Sequence, residues 1–431
     1  MINAREGARV PECCRMSPDV AFEHERDHAA VNVPARGGRR ARSLHHTRSR
    51  PRLPPLLSGV GLLLSLGACS ERVAPAPVVA TLELMDSIGC LVCSGPEQLG
   101  VVRAISVGPT GTLAILTAED PHVRIVDTKE SGEARIRSFG ARGQGPGEIL
   151  HAFGIAALAN GEILVVGRQS DRFSADGRHL GRPAPDPEQG ETALIEFLDS
   201  SPSGDWIVSL EFVVFPEPSF RLRASDHEMR TAGPAFTIPD AWQREPGGRP
   251  VADLIAHSIS DEGVIAMGSG RGAYDLMLVY PDGSTVQGGR DIPKVPRSEE
   301  EVATLNRLMG QTIQETGVPL PAGAAPPGAS SEIPHFGPTS LRFDGVGRLW
   351  VRTPRGGDQV TVFDVFSDKL VYLGEVHAPG WITSFDLSYG TLAGVVRGEL
   401  GVPIVKVWRV VEAAGTEDLP IIGTDGAPLS G

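Results

Sequence analysis

Six times along the chain, a glycine introduces a short run of apolar positions that alternate with polar ones. The runs are GTLAIL at Gly111, GEILVV at Gly161, GDWIVS at Gly204, GVIAMG at Gly263, GRLWVR at Gly347 and GTLAGV at Gly390. A second apolar run precedes each glycine and a third follows, so each unit is predicted to hold at least three short strands. Repeats of 43 to 84 residues made of short strands are typical of β-propellers. The pattern therefore predicts an all-β fold, a six-bladed β-propeller covering residues 80–412.

The two ends of this repeat are complementary. The sixth unit has no clear outer strand, because the tail over residues 413–431 is rich in Gly, Pro and Asp. The run ATLELM from Ala80, in turn, precedes the first unit and has nothing else to pair with. We predict that an N-terminal strand over 80–86 closes the last blade, which removes an exposed sheet edge.

One insertion, residues 293–335, interrupts the repeat between blades four and five. Ser298 and Glu301 have the spacing of a capping box. After them, four apolar residues recur at helical spacing and predict one apolar stripe. These are Val302, Leu305, Met309 and Ile313. The helix either packs on the outer face of the propeller, which we prefer, or forms a lid over the central channel.

The first 68 residues differ in charge from the rest. They hold eleven Arg, no Lys and six Asp or Glu, a net charge of +5, which leaves −18 on the remainder. An acidic body disfavours nucleic acid as a partner. Within the leader, three arginines up to Arg52 precede an apolar run over 56–66 that is too short to span a bilayer and is typical of a secretory signal. The basic segment is longer than such signals usually are, which predicts a start codon assigned too far upstream.

The residues Leu66-Gly67-Ala68-Cys69 resemble the lipobox of bacterial lipoproteins. The resemblance implies cleavage before Cys69, acylation of its thiol and a tether over residues 69–79. Ser70 after the cysteine implies sorting to the outer membrane, facing the periplasm or the cell surface. An ordinary signal with an incidental cysteine is the alternative. We expect a monomer held to the membrane by the lipid on Cys69, with an envelope protein as partner.

The segment Gly140 to Glu148, GARGQGPGE, resembles the blade-to-blade turn of NHL-like six-bladed β-propeller proteins exported by bacteria. Ile149 stands where that family usually has an aromatic residue. The resemblance covers residues 80–412 and implies the fold but no single activity. Four glycines in this segment also leave open a phosphate cradle, although no helix follows whose dipole would support one.

Cysteine spacing predicts a structural disulfide. Cys90 and Cys93 form a C-x-x-C in the exported part of the chain, where oxidation is favoured. Position 94 is Ser, which excludes the c-type haem pattern, and no second C-x-x-C supports a zinc site. The sequence indicates no particular cofactor.

Six polar residues on or near the predicted innermost strands are candidates for lining the channel. They are Arg103, His151, Glu196, His257, Arg342 and Asp386. Metal-dependent lactonases and lyases built on six-bladed propellers place His or acidic ligands there, but this mixture has no convergent ligand set. No G-x-S-x-G nucleophile motif occurs. The sequence therefore favours a binding or scaffold protein, and a metal-dependent hydrolase or lyase is the alternative. Trp242 is the tryptophan predicted to be most free to meet a ligand.

Overall fold

The computed structural model describes residues 76–90, 95, 97–128, 135–167, 169–183, 193–213, 218–233, 235–243, 255–270, 272–316, 330–398 and 401–413. All of them belong to one compact unit, Arg72–Gly431. The predicted leader, the acylated Cys69, Cys93 and the tail lie outside the described residues. No helix within the described ranges has the length and apolar character that crossing a membrane requires.

Six four-stranded antiparallel sheets confirm the predicted six-bladed β-propeller. From inside outwards, blade one holds β2 (Val102–Val107), β3 (Thr112–Thr117), β4 (Val123–Asp127) and β5 (Ile136–Phe139). Blade two holds β6 (Gly154–Ala157), β7 (Ile163–Val166), β8 (Asp171–Phe173) and β9 (His179–Gly181). Blade three holds β10 (Ala193–Ser200), β11 (Trp206–Val213), β12 (Ser219–Asp226) and β13 (Phe236–Thr237). Blade four holds β14 (Ile255–Ile259), β15 (Ile265–Ser269), β16 (Tyr274–Val279) and β17 (Thr285–Arg290). Blade five holds β20 (Leu341–Phe343), β21 (Leu349–Thr353), β22 (Val360–Phe366) and β23 (Tyr372–Pro379). A one-turn helix α1 (Asp240–Gln243) lies between blades three and four.

The sixth blade combines both ends of the described chain. Its strands, from inside outwards, are β24 (Ile382–Ser388), β25 (Thr391–Arg397), β26 (Pro403–Glu412) and β1 (Ala80–Ile88). Ala80 pairs with Glu412 and Ile88 with Val405, with one irregularity at Met85. The N-terminal strand thus occupies the place that the sequence assigns to the closing strand.

Apolar side chains form six clusters, and each cluster lies between two consecutive blades. Alternation along a strand explains this, because successive side chains point to opposite faces of a sheet. On β3, Leu113 and Ile115 join the cluster shared with blade six, whereas Ala114 and Leu116 join the cluster shared with blade two. Because one cluster joins blade six to blade one, the ring of blades is closed.

The insertion begins with a short ribbon, β18 (Val295–Pro296) paired with β19 (Glu332–Ile333), and holds helix α2 (Glu299–Thr316). The capping box is formed: the Glu301 N–H donates to Ser298 Oγ at 3.2 Å, and the Ser298 N–H donates to Glu301 Oε2 at 2.7 Å. Of the predicted apolar stripe, Val302 and Leu305 are half-buried. The side chains of Met309 and Ile313 lie outside the described part. No described residue of α2 belongs to an apolar cluster.

The glycine-rich turn after β5 is closed by its own glutamate. Glu148 Oε2 accepts a hydrogen bond from the Gly145 N–H at 2.8 Å, and a Cβ on Gly143 would lie 1.9 Å from the same oxygen. A carboxylate therefore occupies the position that a bound phosphate would need. This geometry favours the structural turn over the phosphate cradle.

Candidate functional site

One register position recurs on the innermost strand of every blade. In five blades it pairs with the third residue after the repeat glycine, and in blade three, whose turn is one residue longer, with the fourth. We call the residues at this position the channel ring: Ser106, Ala156, Asp199, Ser258, Arg342 and Asp386. All six are buried.

Three members of the channel ring connect their blade to the next one. They accept hydrogen bonds from backbone N–H groups of the following innermost strand. The bonds are Ala157 N–H to Ser106 Oγ (3.0 Å), Phe343 N–H to Ser258 Oγ (3.2 Å) and Val107 N–H to Asp386 Oδ2 (2.6 Å). These bonds satisfy buried donors that the antiparallel ladders leave free.

Arg342 lies between two acidic residues of the ring. Its Nε donates to Asp386 Oδ1 at 3.0 Å, and its Nη1 lies 3.2 Å from Asp199 Oδ2. Asp199 belongs to blade three and Asp386 to blade six, which stand opposite each other, so this ion-paired group crosses the channel axis. Two of the predicted lining residues, Arg342 and Asp386, are thus brought together, and they form an ion pair with each other.

One cation here faces two carboxyl groups. Burial raises the pKa of Asp199 to about 7; the neighbouring Asp386 raises it as well, and Arg342 opposes both effects. Burial also raises the pKa of Asp386, again against the effect of Arg342. A proton held by one of the two carboxyls near neutral pH leaves one carboxylate for one guanidinium.

His257 is buried beside this group, on β14. Burial lowers the pKa of its imidazole to about 3, and Arg342 lowers it further. The nearby backbone of Ile255 opposes this shift, but within the described part of the chain neither ring nitrogen has a partner in hydrogen-bonding geometry. The ring is therefore neutral at physiological pH and serves as a packing group.

The glycine turns close one end of the channel. Ser388 Oγ of blade six donates to the Pro202 carbonyl of blade three at 2.7 Å. The Tyr389 hydroxyl donates to Asp261 Oδ2 of blade four at 3.1 Å, and the other oxygen of Asp261 accepts from the Ser203 N–H at 2.7 Å. Turns of blades three, four and six are thus joined across this end of the channel.

The other predicted lining residues lie away from the ring. Arg103 is exposed, and its Nη1 donates to the Ala152 carbonyl at 2.7 Å. His151 is exposed with a φ of 53°, and its predicted place on an innermost strand is wrong because β6 begins only at Gly154. Glu196 is half-buried at an irregularity in the pairing of β10, which separates it from the regular register.

A cleft of about 210 Å³ opens on the face opposite the glycine turns. It lies where the chain returns from the insertion into blade five. The walls come from the approach to β20, the end of β21 and the approach to β24. The residues are Ile333, Pro334, His335, Phe336, Gly337, Ser340, Arg352, Thr353, Pro354 and Trp381.

Arg352 provides the charge of this cleft. Its Nη1 donates to the carbonyls of Ile382 and Thr383 at 2.5 and 2.6 Å, and its Nη2 to Ser340 Oγ at 3.4 Å. The guanidinium lies 5.5 Å from the centre of the Trp381 ring. Burial lowers the pKa of Arg352 to about 10, and Arg342 adds to this effect. Even so, Arg352 stays protonated at neutral pH.

Sequence reasoning missed Asp199 and Arg352 for different reasons. Asp199 lies three residues after the candidate Glu196, and the longer turn of blade three conceals its equivalence with Asp386. Arg352 follows Gly347 by five residues, a position that holds Leu, Val or Gly in the other blades, allowing for the longer turn. A charged residue at a position that is otherwise apolar was the signal that an alignment of the repeats offers.

The described residues allow only part of the metal and cysteine predictions to be compared with the structure. Cys90 is disulfide-bonded, but Cys93 is outside the described residues, so their pairing stays a prediction. Where the structure is described, no group of three or more His, Cys, Asp or Glu is arranged to hold a metal ion.

A second cleft of about 200 Å³ lies between blades three and four on the glycine-turn face. Its walls include Trp206, Phe236 and Pro281, and none of the described residues that line it is charged. Trp242 is half-buried against the apolar cluster of the same two blades. Trp381 in the first cleft, not Trp242, is therefore the tryptophan placed beside a charged group that can orient a ligand.

No family model matches the chain, and no curated protein matches it. Solved structures of similar fold include a member of the DUF4221 family from Bacteroides vulgatus, with 11% identity over 78% of this chain and 99% of that one and a TM-score of 0.47. The PQQ-bound aldose sugar dehydrogenase of Streptomyces coelicolor has 12% identity over 78% and 99%, with a TM-score of 0.39. Virginiamycin B lyase from Staphylococcus aureus has 10% identity over 72% and 95%, with a TM-score of 0.37. At such identities the likeness concerns the fold alone.

Proposed function

We propose that the protein is a lipid-anchored, extracytoplasmic β-propeller that acts as a binding or scaffold protein of the cell envelope. The observation that carries the binding role is the closed channel. Arg342 is held by Asp199 and Asp386, and the glycine turns meet across one end. Catalysis in the channel needs groups free to reach a substrate, whereas binding on the opposite face needs only a shaped surface.

The anchoring part of the proposal rests on the sequence. The apolar run ends in a lipobox-like segment at Cys69, and the tether that follows leads directly to β1 on the outside of blade six. A lipid at this position would hold the propeller at the membrane without a spanning segment.

Labelling in a bacterial host tests the anchor. The full chain is expressed with radiolabelled palmitate and fractionated. We expect label and membrane association for the parent chain and for Cys14→Ser in the leader, and loss of both for Cys69→Ser. Label retained by Cys69→Ser, or a parent chain found entirely in the soluble fraction, would show that no lipid is attached there.

Cross-linking in native membranes, followed by capture of the full chain, tests for an envelope partner. A defined protein recovered with the parent chain, and recovered less with a Trp381→Ala variant, supports a binding role on the open face. The alternative, a metal-dependent hydrolase or lyase, predicts a stoichiometric divalent metal in the purified full chain. Such a metal, lost together with activity in Asp386→Asn, would replace the binding proposal.

A further inference from the structure

The cleft at the entrance to blade five carries a positive charge, Arg352, with which no acidic residue of the described chain forms an ion pair. The nearest partners of Arg352 are two backbone carbonyls and a serine hydroxyl, all of them neutral. In the described part of the chain, no carboxylate lies within ion-pair distance of it. Its Nε is buried and makes no hydrogen bond. Arg352 is half-buried, and withdrawing a charge from water is costly unless the charge is paired, so an arginine held this way indicates a place for an anion.

The other arginines of the same blade show the usual arrangement. Arg355, three residues further on, is paired with Asp364 and with Glu375, the latter at 2.8 Å. Arg348 is paired with Asp344 at 2.7 Å and with Glu412 at 2.6 Å. Arg352 alone among these three has no acidic partner in the described ranges, and it is the one that lines a cleft.

Hydrogen-bond donors beside Arg352 complete the polar side of the cleft. Ser340 Oγ accepts from the Gly337 N–H at 2.9 Å and from Arg352, which leaves its own hydrogen available for a ligand. His335 makes no hydrogen bond within the described ranges, and its ring lies 5.4 Å from that of Tyr274. Burial is the largest effect that lowers the pKa of His335. The neutral imidazole can thus donate one N–H.

The remaining walls are apolar. Trp381, Phe336 and Pro334 line the cleft opposite the polar groups. Its volume of about 210 Å³ is below the roughly 300–1,000 Å³ of pockets that take drug-sized ligands. The cleft therefore suits a small molecule with one anionic end and an apolar body.

We propose that this cleft binds a small organic carboxylate, with its carboxylate against Arg352, Ser340 and His335 and its apolar part against Trp381. A monoanion fits better than a phosphate dianion, because one guanidinium faces the cleft and three of its five N–H donors already have acceptors. The channel ring close by holds two carboxyl groups for one arginine, which also disfavours a second negative charge. This inference deepens the proposed binding role and rests on it.

Titration of the full chain in detergent with benzoate, benzamide and inorganic phosphate tests the site. We expect benzoate to bind at least about tenfold more tightly than benzamide, as a charge-assisted hydrogen bond predicts. Arg352→Met should weaken benzoate about tenfold or more. Arg397→Met, an exposed arginine at the end of β25 in the next blade, should leave it unchanged.

Each contrary result overturns the site. Equal binding of benzamide and benzoate would remove the role of charge, and tighter binding of phosphate would replace the carboxylate. Unchanged affinity in Arg352→Met would place any binding elsewhere. If Arg352→Met does not fold, Ser340→Ala and Trp381→Ala take its place, and neither variant may keep the parent affinity. Membrane association through Cys69 is measured separately, so loss of the anchor and loss of this site give different results.

Discussion

At the scale of single residues, the decisive feature is the imbalance of charge in the channel ring. Arg342 is nearly fully buried, with 8% of its side chain exposed, and so are its partners Asp199 and Asp386. Such a group is held by mutual attraction after all three ionisable side chains have left water. Removing the single cation should therefore lower the free energy of unfolding more than removing an exposed arginine does.

We expect Arg342→Met to lower the free energy of unfolding by about 3–5 kcal/mol at pH 8, because two buried carboxyls lose their counter-charge. The loss should be smaller at pH 5, where these carboxyls take up protons. Urea unfolding of the full chain at both pH values measures it. Arg409→Met, an arginine that is 63% exposed beside Glu83, is the control and should cost below about 1 kcal/mol. An equal loss for both variants would contradict the buried ion pair.

The same residues predict a dependence of stability on pH with two opposing parts. The folded-state pKa of Asp199, about 7, lies above its ordinary 3.8, so its contribution is present below pH 4 and lost as pH rises through 7. The folded-state pKa of His257, about 3, lies below its ordinary 6.5. Its contribution is present above pH 6.5 and lost as pH falls towards 3.

Two variants separate these parts. Relative to the parent, Asp199→Asn should gain stability as pH rises from 4 to 8, by about 2–4 kcal/mol. His257→Gln should gain by a similar amount as pH falls from 7 to 4. Unfolding free energies of the three proteins across this range give the slopes. Parallel curves for parent and variants would mean that neither group titrates differently in the folded and unfolded chain.

At the scale of elements, the closing strand β1 has a buried end and an exposed middle. Ile88 is fully buried in the cluster between blades six and one, whereas Leu84 is 58% exposed on the same strand. We expect Ile88→Ala to lower the free energy of unfolding by about 2–5 kcal/mol, and Leu84→Ala by no more than about 0.5 kcal/mol. Chemical unfolding of both variants measures the difference. Similar values would mean that β1 does not hold the ring closed.

The strands themselves follow from the sequence because they obey a local rule. Alternation places Leu113 and Ile115 on one face and Ala114 on the other, and the repeat glycines mark the turns, as at Gly111 with a φ of 84°. Local rules also find the capping box at Ser298. The start of a strand is harder to predict from local rules. The pattern therefore assigns His151 to an innermost strand, although β6 begins only at Gly154.

The candidate site is less predictable because it depends on distances across the ring. Asp199 and Arg342 are 143 residues apart, and only closure of six blades brings them to 3.2 Å. The binding role of Arg352 is inferred from its lack of an ion-pair partner among the described residues, and no local sequence pattern reveals such a lack. Its unusual place within the repeat can be seen in the sequence, but that no described carboxylate lies beside it can be seen only in the fold.

At the scale of the whole molecule, the contacts that close the ring of blades are distinct from the insertion. Six clusters, the channel ring and the crossing turns each join one blade to others, so the blades should lose their structure together. The insertion takes no part in these contacts as far as the structure describes it. Most side chains in the first half of α2 are exposed, among them Leu308 at 46%.

Removal of the helix is therefore expected to leave the propeller intact. The backbone N–H of Arg297 donates to the Ser331 carbonyl at 2.8 Å, next to the pairing of β18 with β19. Replacing residues 298–330 by Asn-Gly should join these strands as a hairpin and change the melting temperature by no more than about 2 °C, since no α2 side chain that the structure describes belongs to an apolar cluster. Phe336→Ala, in the buried segment that follows, is the contrasting variant and should cost about 3–5 kcal/mol. Thermal unfolding compares them, and a loss in the deletion as large as in Phe336→Ala would make the helix part of the scaffold.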